Sequence, residues 1–185
     1  MTGHVNTHRL ALARAIADVA LLKGDFTLRS GRKSKYYLDK YLFSTRPDLL
    51  AGVGDLLAER VALVEQESPV DRLAGAELGG IPLVTVASLR TDMPCIFLRN
   101  AKKDYGTAKK MEGVLQGGDR VIFIEDVSTS GGQALESIGD LREAGAEVVA
   151  AICVIDRQEG ARQVIEAAGV RFEALFTKAD MGIDE

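Results

Sequence analysis

The chain has 185 residues, enough for one domain with a sizeable core. Its 46% hydrophobic and 27% charged residues are ordinary globular usage and exclude a wholly disordered chain. The net charge of −4 argues against a nucleic-acid partner, because dedicated binders are usually basic.

In chain order, Thr7 to Lys23 carries Leu10, Ala13, Ala17, Ala20 and Leu21 at helical spacing. Gly24 reads as the stop of that helix. Gly24 to Tyr41 changes character. It places Phe26, Leu28, Tyr36, Tyr37 and Leu38 around a basic turn, 29–35, and predicts a hairpin or a strand with a long loop. Pro47 opens a second helix running to about Gln66, with a stripe of Leu50, Val53, Leu57, Val61 and Val64. The chain then alternates. Arg72–Ala76, Pro94–Arg99, Arg120–Val127, Glu147–Asp156 and Val170–Thr177 read as strands. Helices are expected from Gly79 to Arg90, from Gly131 to Ala144 and from Ala161 to Ala168. Residues 100–118 show no apolar periodicity and hold Lys102, Lys103, Lys109 and Lys110.

Strand–helix alternation with continuous apolar strands indicates an α/β fold whose parallel sheet is covered on both faces. The longest apolar runs, 81–87 and 148–154, fall far short of the ~20 residues that span a bilayer. No secretory signal and no membrane partner are expected. Cys95 and Cys153 are too few for a disulfide framework and fit free thiols in a cytoplasmic protein. His4 and His8 lack a third metal ligand nearby and read as exposed side chains.

The strongest chemical signal is the string 121–133, Val-Ile-Phe-Ile-Glu-Asp-Val-Ser-Thr-Ser-Gly-Gly-Gln. An apolar strand ends in two acids, and a Ser/Thr/Gly loop then opens into a helix. In open α/β sheets ligands bind beyond the carboxyl ends of the strands. Small residues before a helix N-terminus expose backbone N–H groups to an anion. Ser128, Thr129 and Ser130 add hydroxyl donors. A sugar phosphate satisfies both features, with its phosphate on the loop and its hydroxyls on Glu125 and Asp126. The bland alternative is an acid-ended strand followed by an ordinary helix cap. Neither a Walker loop nor a dinucleotide fingerprint is present.

This string resembles the ribose-phosphate motif of the type I phosphoribosyltransferases, which bind phosphoribosyl pyrophosphate (PRPP) with Mg²⁺. Four further segments resemble the orotate phosphoribosyltransferase family in its order. Residues 26–37 are similar to its orotate segment and 75–82 to its pyrophosphate loop. Residues 99–106 are similar to its mobile catalytic loop, and 156–160 to the strand end that reads orotate. The resemblance implies a single phosphoribosyltransferase domain over 1–185, with an N-terminal helix and hood in 1–45 and an α/β core in 46–185.

It also implies site residues. Lys103, Arg99 and Asp126 are the catalytic candidates. PRPP would be bound by Arg29, Arg99, Asn100, Lys102, Lys103 and Tyr105, and by Glu125, Asp126, Val127, Ser128, Thr129, Ser130, Gly131, Gly132 and Gln133. Orotate would meet Tyr36, Tyr37, Thr129 and Arg157. A guanidinium can grip a carboxylate bidentately, although Arg157 could instead pair with Glu159 or Glu166. Tyr36 and Tyr37 could flank a flat ring, or pack the hood. Mg²⁺ would be held mainly by PRPP and water. The loop would cross into a neighbouring subunit, making the homodimer the working unit.

The sequence departs from the family's pattern in several places. Arg29 and Asn100 stand where lysine is common, Tyr105 replaces a histidine, and Leu78-Gly79 replaces Tyr-Lys. Lys109 and Lys110 could restore charge to the loop. The competing readings are a purine phosphoribosyltransferase, a PRPP-binding regulator and a sugar-phosphate binder with a degraded site. Purines lack the carboxylate that justifies Arg157.

Overall fold

The computed structural model describes residues 2–27, 31, 33–100 and 110–183. A helix α1 (Thr2–Ala20) leads into an antiparallel hairpin, β1 (Leu21–Thr27) and β2 (Lys33–Leu38). After a short α2 (Tyr41–Ser44) and α3 (Pro47–Glu65), alternation begins with β3 (Arg72–Ala76), α4 (Gly80–Thr91), β4 (Cys95–Leu98) and β5 (Met111–Glu112). It continues with β6 (Arg120–Ser128), α5 (Gly132–Glu143), β7 (Glu147–Asp156), α6 (Ala161–Ala167) and β8 (Arg171–Thr177).

The main sheet has the order β5-β4-β3-β6-β7-β8. Its pairs are parallel except the edge pair β4–β5, which is antiparallel. From β3 the chain works outward to one edge, and from β6 to the other. The topological switch point therefore lies between β3 and β6, where a ligand crevice is expected at the strand C-termini.

The central strands are apolar throughout because both faces are covered. Ile122, Ile124, Ile152 and Val154 pack with Leu57, Val61 and Leu83 beneath α3 and α4. Phe123, Ala151 and Cys153 pack with Ile138, Leu141 and Ile165 beneath α5 and α6. Helix α1 buries Ala13, Ile16 and Ala20 in the first of these clusters, so the N-terminal segment shares the core of the sheet. Among the described residues no helix is long and apolar enough to cross a membrane.

Two expectations need correction. The first helix ends at Ala20, and Leu21, Leu22 and Lys23 belong to β1. Their partners Leu38, Tyr37 and Tyr36 lie across the hairpin, so pairing overrides a helical pattern that a local reading could not separate from it. Gly24 is not a helix stop; it falls in the register irregularity between Lys23 and Phe26. In the 100–118 segment, Met111–Glu112 adds an edge strand, and residues 101–109 lie outside the described residues.

Phe123 is fully enclosed between β6 and the α5–α6 layer. F123A is expected to lower unfolding free energy by about 3–5 kcal/mol, through lost burial and the cavity left behind. A urea titration should show an earlier midpoint with an unchanged slope.

Candidate active site

The β6 strand ends at the switch point, and its last residues change from apolar to polar: Glu125, Asp126 and Ser128. Asp126 is buried. Its Oδ1 accepts from the Val127 N–H at 2.6 Å, and its Oδ2 lies 2.8 Å from the Lys40 ammonium. On the β3 side, a Cβ on Gly79 would fall 1.5 Å from the same Oδ2. With the Asp126 carboxylate in this position a side chain at Gly79 would collide with it, so any larger residue there would have to displace that carboxylate. Burial opposes the charge on Lys40, but the adjacent Asp126 outweighs it and holds the ammonium pKa above its ordinary value.

Glu125 is partly buried, and its Oε2 accepts from Ser128 Oγ at 2.5 Å. Burial pushes its pKa up from 4.5 to about 7; the Ser128 hydrogen bond opposes this, the Asp126 charge adds to it, and Lys40 opposes it. The serine is itself buried, and its hydroxyl donates to Glu125. Thr129 is partly exposed and Ser130 exposed, leaving those two hydroxyls to face an anion.

The loop from Val127 to Gln133 meets the conditions for an anion site. Helix α5 begins after Gly131, whose φ of +81° is the left-handed region that favours glycine. No side chain caps the helix and no acid lies in its first turn, so the first N–H groups are left for a ligand. Helix α4 starts equally uncapped behind Gly79. Two helix N-termini and two carboxylates therefore meet at one crevice. Its inner part is lined by Lys40, Ala76, Glu77, Gly79, Gly80, Phe123, Ile124, Glu125, Asp126 and Gln133.

At the end of β7, Arg157 leans toward the hairpin. Its Nη2 donates to the Tyr36 hydroxyl at 3.1 Å and pairs with Glu159 at 2.9 Å, and its guanidinium lies over the Tyr36 ring. Tyr36 and Tyr37 do not form two walls of one slot. Successive strand residues point to opposite faces, and Tyr37 stacks obliquely on Phe26 with ring centroids 5.7 Å apart. Of the two, Tyr36 shares the site with Arg157.

Asn100 is clasped to the β3–α4 loop: its N–H donates to Glu77 Oε1 at 2.7 Å and its Nδ2 to the Glu77 carbonyl at 3.3 Å. Arg99 lies with its Nη1 4.0 Å from Glu112 Oε1. Lys110 is held by Asp140 at 2.5 Å, on the α5 flank. Arg29, Lys102, Lys103, Tyr105 and Lys109 lie outside the described residues.

Known proteins decide the family. Orotate phosphoribosyltransferase of Methanocella arvoryzae is 46% identical over 158 residues, covering 85% of this chain and 87% of that protein. The chain belongs to the orotate phosphoribosyltransferase family. The solved orotate phosphoribosyltransferase of Aeropyrum pernix superposes with a TM-score of 0.80 at 32% identity, over 92% of this chain and 95% of its own. The Mycobacterium tuberculosis orotate phosphoribosyltransferase in complex with PRPP gives 0.79 at 29% identity, over 95% and 99%. No family model matches the chain. The parallel α/β sheet expected from the alternation, and the type I phosphoribosyltransferase fold implied by the resemblance, are the fold of these orotate phosphoribosyltransferases.

Two members of the crevice escaped the sequence reading. Glu77 stood inside the resemblance to the pyrophosphate loop without a role. Lys40 belongs to none of the quoted motifs and carried no assignment. Its adjacency to the orotate-like segment was the available signal; its contact with Asp126, 86 residues away, was not.

An acid whose pKa is higher folded than unfolded favours the fold below that window and loses the advantage as pH rises through it. For Glu125 the window runs from 4.5 to about 7. Unfolding of the ligand-free protein should therefore become easier across it, by about 2–3 kcal/mol on the scale of the shift. E125Q should flatten that part of the profile, as read from urea titrations between pH 5 and 8.

Proposed function

We propose that this chain transfers the ribose 5-phosphate group of PRPP to orotate, yielding orotidine 5′-monophosphate and pyrophosphate, a step of pyrimidine biosynthesis. The observation that carries the reading is the crevice between β3 and β6. It sets an uncapped helix N-terminus beside two carboxylates, as a sugar phosphate requires.

In this reading the 5′-phosphate rests on Val127–Gln133, receiving N–H groups from the start of α5 and the Thr129 and Ser130 hydroxyls. Glu125 and Asp126 accept from the ribose hydroxyls. Arg157 meets the orotate carboxylate with the guanidinium whose Nη2 now serves Tyr36 and Glu159. Thr129 touches the same base. No protein nucleophile is required; the anomeric carbon passes through an oxocarbenium-like state while the ring nitrogen, its proton released to solvent, forms its bond and the bond to pyrophosphate breaks. Acceleration comes from positioning and from fixed charge around the leaving group.

The oxygen donors of the crevice, the carboxylates of Glu77, Glu125 and Asp126, suit a hard cation that shares its coordination with phosphate oxygens. Among the described residues no three His, Cys, Asp or Glu side chains cluster to hold a metal by themselves. Mg²⁺ would be held mainly by PRPP and water, with Glu125 and Asp126 as the residues that could support it. When bound, it neutralises charge on the pyrophosphate oxygens.

Residues 1–45 act as a hood over the core of 46–185, and Arg29 contributes charge from the hood to PRPP. The 100–118 loop, carrying Lys102, Lys103 and Tyr105, closes over the pyrophosphate, with Arg99 and Asn100 at its root. It reaches the site of a second subunit in a homodimer. Exposed Leu22, Tyr37, Tyr41 and Leu42 on and beside the hairpin supply apolar surface for such a contact. Free Cys95 and Cys153 fit a reducing cytoplasm.

Orotate absorbance followed with protein, PRPP and Mg²⁺ tests the reaction. Loss of orotate is expected only when all three are present, with orotidine monophosphate confirmed by mass; consumption of adenine or hypoxanthine instead would refute the substrate. In the same assay R157A should raise the orotate KM about 10-fold or more, the scale of losing a charged hydrogen bond. An unchanged KM would remove Arg157 from the base site.

K103A should lower kcat about 10²-fold or more, as loss of a preorganised donor does. Mixing K103A with R157A tests loop sharing. A hybrid dimer with crossed loops has one site carrying both lesions and one carrying neither, so activity should return on mixing. No recovery after verified subunit exchange would confine the loop to its own subunit.

A further inference from the structure

Lys40 is the only cationic side chain that the described residues contribute to the inner crevice, among the carboxylates of Glu77, Glu125 and Asp126. It comes from the turn after β2, in the segment that carries Tyr36, and reaches across to the end of β6. Its ammonium and the bare Cα of Gly79 converge on one atom, Asp126 Oδ2. The other oxygen, Oδ1, is tied to the Val127 N–H. Both ends of this buried carboxylate are thereby set in direction.

Removing Lys40 would leave Asp126 buried opposite a glycine that offers no replacement donor. An unpaired buried charge is strongly disfavoured, so the carboxylate would turn toward solvent or take up a proton. Either change would spoil an acceptor aimed at a sugar hydroxyl. A carboxylate with one ammonium on Oδ2 still has lone pairs to accept from a neighbouring hydroxyl. The ammonium therefore aligns Asp126 without exhausting it.

We infer that Lys40 is a positioning residue for ribose recognition: pinned against Gly79, it holds Asp126 so that this carboxylate can accept from the ribose hydroxyls. The inference rests on the sugar-phosphate reading of the crevice and adds to it the residue that sets its ribose specificity. It differs from a direct role for Lys40 on the diphosphate, which the same position between β3 and β6 would also permit.

Calorimetry with three probes separates these roles: PRPP with Mg²⁺, ribose 5-phosphate and inorganic pyrophosphate. They are titrated into the wild type, K40M, K40R, D126N and K40M/D126N, with melting temperature and orotate consumption measured on the same samples. K40M should weaken PRPP and ribose 5-phosphate by a similar factor, about 10-fold, the scale of one charge-assisted hydrogen bond. Pyrophosphate should bind within about twofold of wild type. K40R should recover most of the loss, and K40M should add little in the D126N background, because it acts through that carboxylate. If K40M does not fold, K40Q replaces it with the same expectations.

A loss confined to PRPP and pyrophosphate would overturn the inference and put Lys40 on the diphosphate. Unchanged affinity for all three probes, or full additivity with D126N, would reduce it to a structural tie and overturn it equally. The orotate reading fails separately. A wild type that spares orotate, yet shows the ribose-specific losses in K40M, supports the Lys40 assignment while refuting the base.

Discussion

A carboxylate at the end of a buried strand needs partners, and at Asp126 they come from distant parts of the chain. The ammonium of Lys40 descends from the N-terminal segment, the empty side of Gly79 faces it from the β3–α4 loop, and Val127 supplies its own N–H. Each contact constrains a different element. The N-terminal segment is tied to the sheet, Gly79 lies directly against the carboxylate, and the end of β6 is held in direction. The crevice exists because these three segments are satisfied at one point.

Around that point, charges of both signs are kept apart by a few ångströms. The N-termini of α4 and α5 are uncapped, so they favour anions. Glu125 and Asp126 favour hydroxyl donors or cations. A ligand with both characters matches the pair, and the phosphorylated sugar proposed above is one. The raised pKa of Glu125 follows from the same crowding, since burial next to Asp126 penalises a second negative charge. The nearby Lys40 offsets part of that penalty.

The base side is built from elements that the sheet alone would not join. Arg157 ends β7, while Tyr36 belongs to a hairpin that pairs with no strand of the main sheet. Their hydrogen bond closes the hood over the β7 end of the crevice. Glu159 already occupies the guanidinium.

The sequence by itself determined the parallel sheet, its helices and the place of the phosphate loop. Those depend on short-range signals: apolar runs of strand length, a proline at a helix start, and small residues after two acids. It also singled out Arg157 by its place at a strand end. It misread Leu21–Lys23 as helix, because their apolar spacing suits either structure and only the partner strand at 36–38 decides between them. It offered Tyr36 and Tyr37 as a pair, whereas strand alternation sends them to opposite faces. The hydrogen bond between Ser128 and Glu125 inside the loop was not legible in it. Only the tertiary structure decided that Lys40 and Gly79 meet at Asp126. Nothing local links residues 40, 79 and 126; their meeting follows from strand order, which places β3 beside β6, and from the packing of α1 and Leu38 into the core, which brings the end of β2 to them.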